Sequence, residues 1–319
     1  MAASAGSSYD TASPKVASGG MQVKAPVKGM SLSSKTAKNK SLEDALVKED
    51  KLAPVSATAR AVTGAAAEVE AIQAPVVQHP VMLLIAERVS AKLTREGTAE
   101  VLDIKGSLTL TASTDDAGMC AVKMALPEDA SSFTFNTHPK INKPLFDKSS
   151  LLMLKDTTKG FPSARPVGIL RWSYAGDNDM MTPIKINCWP EEEARGQMNV
   201  NIEYSVDVDI ELHNVQIVIP LGTAEAPRVA NADGSYRHNP SAHELVWTID
   251  MIDASNRTGS LEFTIAQRNS DAFFPVKVNF TSHQLFCKLD VAGVTAGDGR
   301  TPIMYGLSKG MASEEYTIE

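Results

Sequence analysis

Three runs of alternating apolar and polar residues fill positions 231–280, which read NADGSYRHNPSAHELVWTIDMIDASNRTGSLEFTIAQRNSDAFFPVKVNF. Within each run the apolar side chains share one parity of the numbering: Leu245, Trp247, Ile249 and Met251, then Leu261, Phe263 and Ile265, then Val276, Val278 and Phe280. A period of two is typical of an antiparallel strand with one buried face. The stretch therefore predicts three half-buried strands.

Pairs of residues with turn chemistry separate these runs. They are Asp233-Gly234, Asn239-Pro240, Thr258-Gly259 and Phe274-Pro275. Glycine adopts positive φ at no steric cost, and proline cannot donate a ladder hydrogen bond. We therefore expect a turn at each pair, and we expect the aromatic residues of the alternating runs, Trp247, Phe263 and Phe280, to pack in the core.

Similar strand-like segments recur at short intervals after Pro80. They cover residues 81–93, 99–113, 120–126, 131–136, 167–174, 183–189, 200–212, 215–219, 284–294 and 301–307. Repeated short strands with turn signals between them indicate an all-β sandwich or barrel. One helical turn is predicted at residues 149–155.

The first 78 residues differ in composition from the rest of the chain. Ala, Ser, Lys, Thr and Val dominate this segment, which contains no Trp and no Phe. It has too little apolar surface to offset the conformational entropy lost on ordering. We predict a low-complexity, disordered tail at 1–78 with a short helix at 41–47, where Ser41 supplies an N-cap; an inert linker is the alternative.

Bulk composition excludes several classes of function. The formal net charge of −7 argues against a nucleic-acid partner that is bound by neutralising phosphates over the whole surface. Cys120, Cys188 and Cys287 lie far apart with no CxxC pair, so neither a zinc site nor a disulfide framework is expected. The longest apolar run, 81–86, is too short to span a bilayer, and membrane contact is expected to be peripheral.

No constellation of residues points to catalysis. The six histidines include no HExxH pair, and the chain contains no GxGxxG loop, GxxxxGK[ST] loop or GxSxG elbow. Glu191-Glu192-Glu193 follows Trp189-Pro190 and is interpreted as a solvated loop tip. We expect no enzyme and no cofactor, with a β-sandwich hydrolase or a lectin-like protein as a third, less favoured interpretation.

A mixture of aromatic and basic residues between 133 and 172 suggests recognition of a peptide. Apolar sockets rimmed by lysine suit an acidic peptide that carries aromatic side chains. Each of these residues taken singly is better explained by core packing or ordinary surface. The candidate binding residues are Phe135, His138, Lys140, Phe146, Phe161 and Trp172.

Several segments together resemble the carboxy-terminal mu-homology domain of coatomer delta subunits. They include THPK at 137–140, VGILRW at 167–172, INCWP at 186–190, VNIEY at 200–204, DGSYRH at 233–238, GSLEF at 259–263 and FFPV at 273–276. Their order and spacing agree over residues 81–319. A weaker similarity lies in the tail, where KGM at 28–30 precedes the predicted helix.

The resemblance implies an elongated all-β domain in which one antiparallel β-sandwich subdomain is inserted into another. The mu-homology domain would span residues 79–319. Its outer subdomain would comprise 81–182 and 275–319, and its inserted subdomain 183–274. The disordered tail would precede it.

The resemblance also implies a function in the COPI vesicle coat, in Golgi-to-ER retrograde and intra-Golgi transport. Partners would be other coatomer subunits, beta and zeta in particular, and tethering-complex and Arf GTPase-activating proteins that carry tryptophan motifs. The implied location is the cytoplasm and the cytosolic side of Golgi membranes and COPI-coated vesicles.

Two departures from related families qualify this expectation. Delta subunits begin with a longin-like domain, whereas this sequence has only a low-complexity tail there, so we expect that domain to be missing, truncated or encoded elsewhere. Medium chains of clathrin adaptors bind tyrosine signals through an Asp on the first strand, where approximate alignment places Leu84, and a Trp-x-Arg on the last, near Ile303-Met304-Tyr305. Without that carboxylate, we do not expect the tyrosine hydroxyl to be recognised; a clathrin-adaptor-like chain that binds tyrosine signals remains the alternative.

Overall fold

A computed structural model describes residues 79–178 and 181–319 of the chain. The predicted disordered tail at 1–78, including the helix predicted at 41–47, lies outside the described residues. Strands dominate the described part, so the all-β prediction is confirmed.

The strands of the described residues follow one another with short connections. They are β1 (Val81–Leu93), β2 (Ala99–Ala112), β3 (Cys120–Ala125), β4 (Thr134–Thr137), β5 (Leu151–Leu152), β6 (Val167–Gly176), β7 (Lys185–Glu193), β8 (Gln197–Ser205), β9 (Leu212–Pro220), β10 (Arg228–Ala232), β11 (Ser235–Asn239), β12 (Glu244–Ile252), β13 (Thr258–Ile265), β14 (Val276–Ser282), β15 (Asp290–Ala296) and β16 (Tyr305–Ile318). Two short helices accompany them, α1 (Asp115–Gly118) and α2 (Lys143–Ser149). Single 3₁₀ turns form at Ala130–Ser132 and Ser270–Phe273.

The strands assemble into three sheets. A nine-stranded sheet has the order β11-β12-β9-β14-β16-β1-β2-β6-β4, a four-stranded sheet the order β10-β13-β8-β7, and a three-stranded sheet the order β15-β3-β5. β1 pairs in parallel with β16, and the other ladders between the described strands are antiparallel. β4 therefore lies at one edge of the largest sheet.

The chain moves back and forth between two sheets within residues 231–280. β10 and β13 belong to the four-stranded sheet, whereas β11, β12 and β14 belong to the nine-stranded one. Gly234 allows the crossing after β10, because its φ of +87° is unfavourable for other residues. The alternating pattern thus supplies the inner faces of two packed sheets.

Aromatic side chains fill the space between these sheets, as predicted. Trp247, Phe263 and Phe280 are all buried. The Trp247 ring lies 5.6 Å from that of Tyr204, and the Phe263 ring lies 6.1 Å from that of Phe273. The prediction that the aromatic residues of the alternating runs pack in the core is confirmed.

Several local predictions are wrong. Glu191-Glu192-Glu193, interpreted as a loop tip, end β7; residues 206–211 interrupt the strand predicted at 200–212; and the strand predicted at 301–307 begins only at Tyr305 and continues to Ile318. Thr258-Gly259 begins β13 instead of forming a turn, and Gly259 is required there because a Cβ would lie 2.5 Å from the Tyr204 ring. The helix predicted at 149–155 occupies Lys143–Ser149, where Asn142 caps its first turn and Ser150 ends it with a left-handed φ of 51°. The strand predicted at 284–294 begins only at Asp290, because residues 283–288 fold over a buried carboxylate.

The proposed subdomain boundaries remain a prediction. Residues 183–274 contribute β7, β8, β10 and β13 to a sheet of their own, but β9, β11 and β12 join the nine-stranded sheet through the β9–β14 pairing. One continuous sheet therefore contains strands from both segments.

The three cysteines of the chain are all thiols within the described part. Cys120, Cys188 and Cys287 are free and buried, and desolvation raises the pKa of each thiol to about 12. Neither α1 nor α2, nor any other helical segment within 79–178 and 181–319, has the length and hydropathy of a membrane-spanning helix.

Candidate peptide-binding site

A row of side chains crosses the nine-stranded sheet and ends at its β4 edge. The strand register places Glu87 of β1 opposite Gly106 of β2, Gly106 opposite Trp172 of β6, and Trp172 opposite Phe135 of β4. Directly opposed residues of neighbouring strands point to the same face. We call Glu87, Gly106, Trp172 and Phe135 the cross-sheet row.

Trp172 lies flat against the backbone of its neighbour in this row. A Cβ at Gly106 would approach the indole to 2.0 Å, so only glycine fits beneath the ring. The indole Nε1 donates a 2.7 Å hydrogen bond to Oε1 of Glu87. Trp172 is therefore a buried residue with its polar atom satisfied, and it shapes the sheet under Phe135.

The Glu87 carboxylate is held by donors from two directions. Besides Trp172 Nε1, it accepts backbone hydrogen bonds from the N–H groups of Phe286 (2.5 Å) and Cys287 (3.2 Å). Burial raises the pKa of Glu87, and these hydrogen bonds oppose the rise without cancelling it. Glu87 thus ties β1, β6 and the segment before β15 together.

The buried position of Glu87 was recognisable from the sequence, although no motif indicated it. Along β1 the odd-numbered residues are buried, and Glu87 occupies an odd position between Ile85 and Val89. A carboxylate on the apolar face of a strand requires hydrogen-bond donors, because an unpaired buried charge is costly.

Phe135 ends the row on the outermost strand. Its ring lies 6.4 Å from the Trp172 ring and 6.4 Å from the ring of Phe146, which projects from α2. Phe146 is buried, whereas Phe135 is partly exposed. The structure therefore brings together three of the predicted aromatic residues and leaves one, Phe135, accessible.

His138 and Lys140 lie just beyond the end of β4. The backbone N–H of His138 donates to the carbonyl of Ile169, and the N–H of Lys140 donates to Nδ1 of His138 at 3.1 Å. Lys155 Nζ donates to the carbonyl of Pro139 at 2.7 Å. His138 and Lys140, the two polar residues predicted to bind a peptide, thus follow Phe135 closely in the sequence, and both are partly exposed.

Phe161 lies in a different packing environment. Its backbone N–H donates to the carbonyl of Gly118 at 2.9 Å, and its side chain is buried. Among the described residues, its ring makes no aromatic contact with Phe135, Phe146 or Trp172. The structure does not join Phe161 to the others.

The surface around α2 is basic. Lys143 pairs with Asp147 and Lys159 pairs with Asp156, at 2.9 and 2.8 Å. Lys123 Nζ donates to the carbonyl of Ser149, and Lys148 makes no ion pair with the described residues. The excess of cations favours an acidic ligand on this side of the domain.

A second concave region lies on the four-stranded sheet. It encloses about 330 Å³ and is lined by Asn187, Glu203, Asp233 and Ser260 among others. The nearby Trp189 is 39% exposed on β7. Sequence reasoning did not assign a site here.

Comparison with known proteins places the chain in a family. The profile of the adaptor complexes medium subunit family matches residues 69–319. Coatomer subunit delta of Dictyostelium discoideum is 34% identical over 317 residues, which cover 98% of this chain and 56% of that protein. The chain thus spans little more than half the length of this curated relative.

Solved structures agree with the sequence match. The yeast delta-COP-I mu-homology domain superposes with a TM-score of 0.68 at 26% identity, over 77% of this chain and 100% of that one. The same yeast domain complexed with a Dsl1 WxWxV peptide gives a TM-score of 0.66 at 25% identity, over 75% and 98% of the two chains. The resemblance inferred from the sequence is confirmed. The chain belongs to the adaptor complexes medium subunit family, and its described domain has the mu-homology fold found in delta subunits of coatomer.

Proposed function

We propose that this chain is a non-enzymatic subunit of the COPI coat that captures tryptophan-based peptide motifs through its mu-homology domain. The observation that carries the proposal is the likeness to the yeast domain complexed with a WxWxV peptide. The basic surface around α2 and the accessible Phe135 ring support the same ligand class. The sheets and their loops would hold the peptide-binding surface in place, and the chain would catalyse no reaction.

The proposed binding residues divide into two groups by exposure. Phe135, His138 and Lys140 are partly exposed and would contact the peptide. The buried Phe146, Phe161 and Trp172 would act by holding the surrounding elements in place. Aromatic anchors in the motif would pack against Phe135, and acidic residues that flank them would face the lysines.

The proposed partners are those that the resemblance to coatomer delta subunits implies. The chain would assemble with other coatomer subunits, in particular beta and zeta, and would capture tethering-complex and Arf GTPase-activating proteins that display tryptophan motifs. It would act in the cytoplasm, peripherally on Golgi membranes and COPI-coated vesicles, in Golgi-to-ER retrograde and intra-Golgi transport. No nucleic acid and no cofactor enter this function.

Calorimetric titration of the full chain with two peptides tests the proposal. An acidic peptide with the sequence pattern Trp-x-Trp-x-Val should bind with weak, reversible affinity. A Tyr-x-x-Φ peptide of equal charge should not bind, because the aligned position on β1 is Leu84 and offers no carboxylate. Absence of tryptophan-peptide binding by the folded protein at high micromolar concentration would contradict the proposal, and binding of the tyrosine peptide alone would favour a clathrin-adaptor-like function.

A further inference from the structure

We infer that His213 and His283 form a binding site for a divalent transition metal ion of the class that prefers imidazole ligands, such as zinc. The ion would cross-link β9 to the turn that follows β14. The site is separate from the proposed peptide-binding residues, because β16, β1, β2 and β6 lie between β14 and β4 in the nine-stranded sheet.

The strand register brings the two histidines to one face of this sheet. His213 of β9 lies opposite Thr281 of β14, and His283 follows Thr281 by two residues. Residues at alternate positions of an extended chain point to the same face. The centroids of the two imidazole rings lie 5.0 Å apart, and their planes make an angle of 54°. Two histidines that are distant in the sequence are therefore neighbours on the surface.

The separation of the rings suits the chelation of one metal ion. A zinc–nitrogen bond of about 2.0–2.1 Å places the centre of an imidazole about 3.2 Å from the metal. Two such rings at a tetrahedral angle would have centres about 5.2 Å apart. The observed separation is 5.0 Å. Both rings would thus reach a shared ion by side-chain rotation, without movement of the strands.

The ring nitrogens of the pair are available to a metal. Within residues 79–178 and 181–319, neither the His213 ring nor the His283 ring makes a hydrogen bond or an ion pair. His213 is partly exposed and His283 is exposed. An ion from solvent can therefore reach both rings without displacing a protein ligand.

Hydrogen bonds on both strands hold the backbone of the site in place. Thr281 Oγ1 donates to the carbonyl of His213 at 3.3 Å, and Ser282 Oγ donates to the carbonyl of Glu211 at 2.6 Å. The N–H of Glu211 donates to Oε1 of Gln284 at 3.1 Å. Ligands that are already positioned lose little conformational freedom when an ion binds.

The same hydrogen bonds bring a negative charge to the site. They place Glu211 between Ser282 and Gln284, the two neighbours of His283, and its exposed carboxylate makes no ion pair with the described residues. A nearby carboxylate attracts a divalent cation. The described residues contain no group of three His, Cys, Asp or Glu side chains suited to a metal. Two imidazoles would therefore be the protein ligands, and water would complete the coordination.

Cysteine thiols do not compete for the ion in the folded chain. Zinc binds the thiolate form of cysteine. Cys287, the cysteine nearest to His283 in the sequence, is buried, and desolvation raises its pKa to about 12. The same holds for Cys120 and Cys188. The imidazole pair is thus the accessible site for a metal of this class.

Calorimetric titration of the full chain with zinc chloride, in a buffer that does not chelate metals and with a phosphine reductant, tests the inference. One ion per chain should bind with micromolar affinity. His213→Asn and His283→Asn should each weaken binding by about tenfold or more. His243→Asn is the matched control, because this exposed histidine lies outside the pair and asparagine tolerates its φ of 57°. It should change the affinity less than about twofold.

The cross-link should also raise the melting temperature. At a zinc concentration about a hundred times the dissociation constant, the native chain and His243→Asn should each melt about 5 °C higher than without zinc. The shift for His213→Asn or His283→Asn should be about half as large or less. Magnesium at the same concentration should shift none of the four proteins, because it prefers oxygen ligands.

Three results would overturn the inference. They are no zinc binding by the folded chain at high micromolar concentration, zinc binding that neither histidine variant weakens, and equal weakening by His243→Asn. If a variant unfolds, the ring-nitrogen chemical shifts of the native chain supply the test. Zinc should move the signals of His213 and His283 together, and a shift confined to other histidines would contradict the site.

Discussion

The β4 edge and the outer face of the four-stranded sheet both expose an aromatic ring, but they differ in charge and in the use of their backbone. Phe135 lies beside lysines on a strand with a free edge, whereas Trp189 lies on a face with Glu191, Glu203 and Glu262. On that face Asn199 donates to Glu262 and Asn201 donates to Glu203, at 3.1 and 3.2 Å.

If the proposed function is correct, ring exposure alone does not determine where a tryptophan peptide binds. Tryptophan is enriched among the anchor residues of interfaces, and Trp189 lies near a groove of about 330 Å³. Its carboxylates would nevertheless repel an acidic peptide. The smaller β4 edge combines a ring, free backbone groups and positive charge.

The largest effect on stability is expected at Glu87, which anchors the strands that lie behind the β4 edge. Glu87→Ala removes the acceptor for Trp172 Nε1 and for two backbone N–H groups in a buried site. We expect the free energy of unfolding to fall by about 3 kcal/mol or more, measured by chemical denaturation. An unchanged stability would show that the cross-sheet row does not hold the β4 end of the sheet together.

The isosteric variant Glu87→Gln provides the control and a pH test. Because burial raises the pKa of Glu87, the native state holds this proton at pH values where the unfolded state has lost it. The native chain should therefore lose stability, relative to Glu87→Gln, as pH rises from the unfolded carboxyl pKa through the raised native value. A difference between the two proteins that does not vary with pH would contradict this.

Gly106→Ala should have the next largest effect. The added methyl group would lie 2.0 Å from the Trp172 indole, which must then move away from Glu87 or distort the sheet. A loss of about 1–3 kcal/mol in the free energy of unfolding is expected, together with weaker peptide binding. Gly293→Ala is the matched control, because a Cβ at Gly293 of β15 meets no atom within 4 Å and should leave stability nearly unchanged.

Substitution of the two exposed rings compares the regions directly. Phe135→Ala should weaken binding of the Trp-x-Trp-x-Val peptide about tenfold, which corresponds to about 1.4 kcal/mol. Trp189→Ala should leave that affinity unchanged. Isothermal calorimetry on both variants measures this, and the reverse ranking would move the site to the four-stranded sheet.

Charge reversal should give the smallest effect. Lys148→Glu reverses the charge in the last turn of α2 and should weaken peptide binding by only about 0.5–1 kcal/mol even at low salt, because exposed charges are well screened. Glu191→Lys on the acidic face is the matched control and should change little. Equal effects of the two substitutions would indicate attraction by the net charge of the chain rather than by the β4 side.

Much of the architecture could be predicted because the alternation of apolar and polar residues along a strand is a pattern of neighbouring residues in the sequence. The alternation in 231–280 and in β1 follows directly from side chains that point to opposite faces, and the predicted bounds of β1 match the structure. Short elements could not be predicted. β5 has two residues, β10 and β11 present few buried side chains, and none of them shows a period of two.

The clustering of the aromatic residues proposed for the site was predictable, but their arrangement was not. Phe135, Phe146 and Trp172 were expected together, and their contacts bring them together. The register that buries Trp172 against Gly106 and frees the backbone of Phe135 depends on pairing between distant strands. Phe161 lies apart for the same reason, since its position is fixed by a contact with Gly118 far away in sequence.

Amide chemical-shift mapping of the full chain during titration with the acidic Trp-x-Trp-x-Val peptide tests the central claim most directly. The account predicts that the largest shifts fall on Phe135, Thr137 and their neighbours in β4 and α2, with little change on β7, β8 and β13. Saturable shifts centred on Trp189, Asn201 and Glu203, with β4 unaffected, would contradict it.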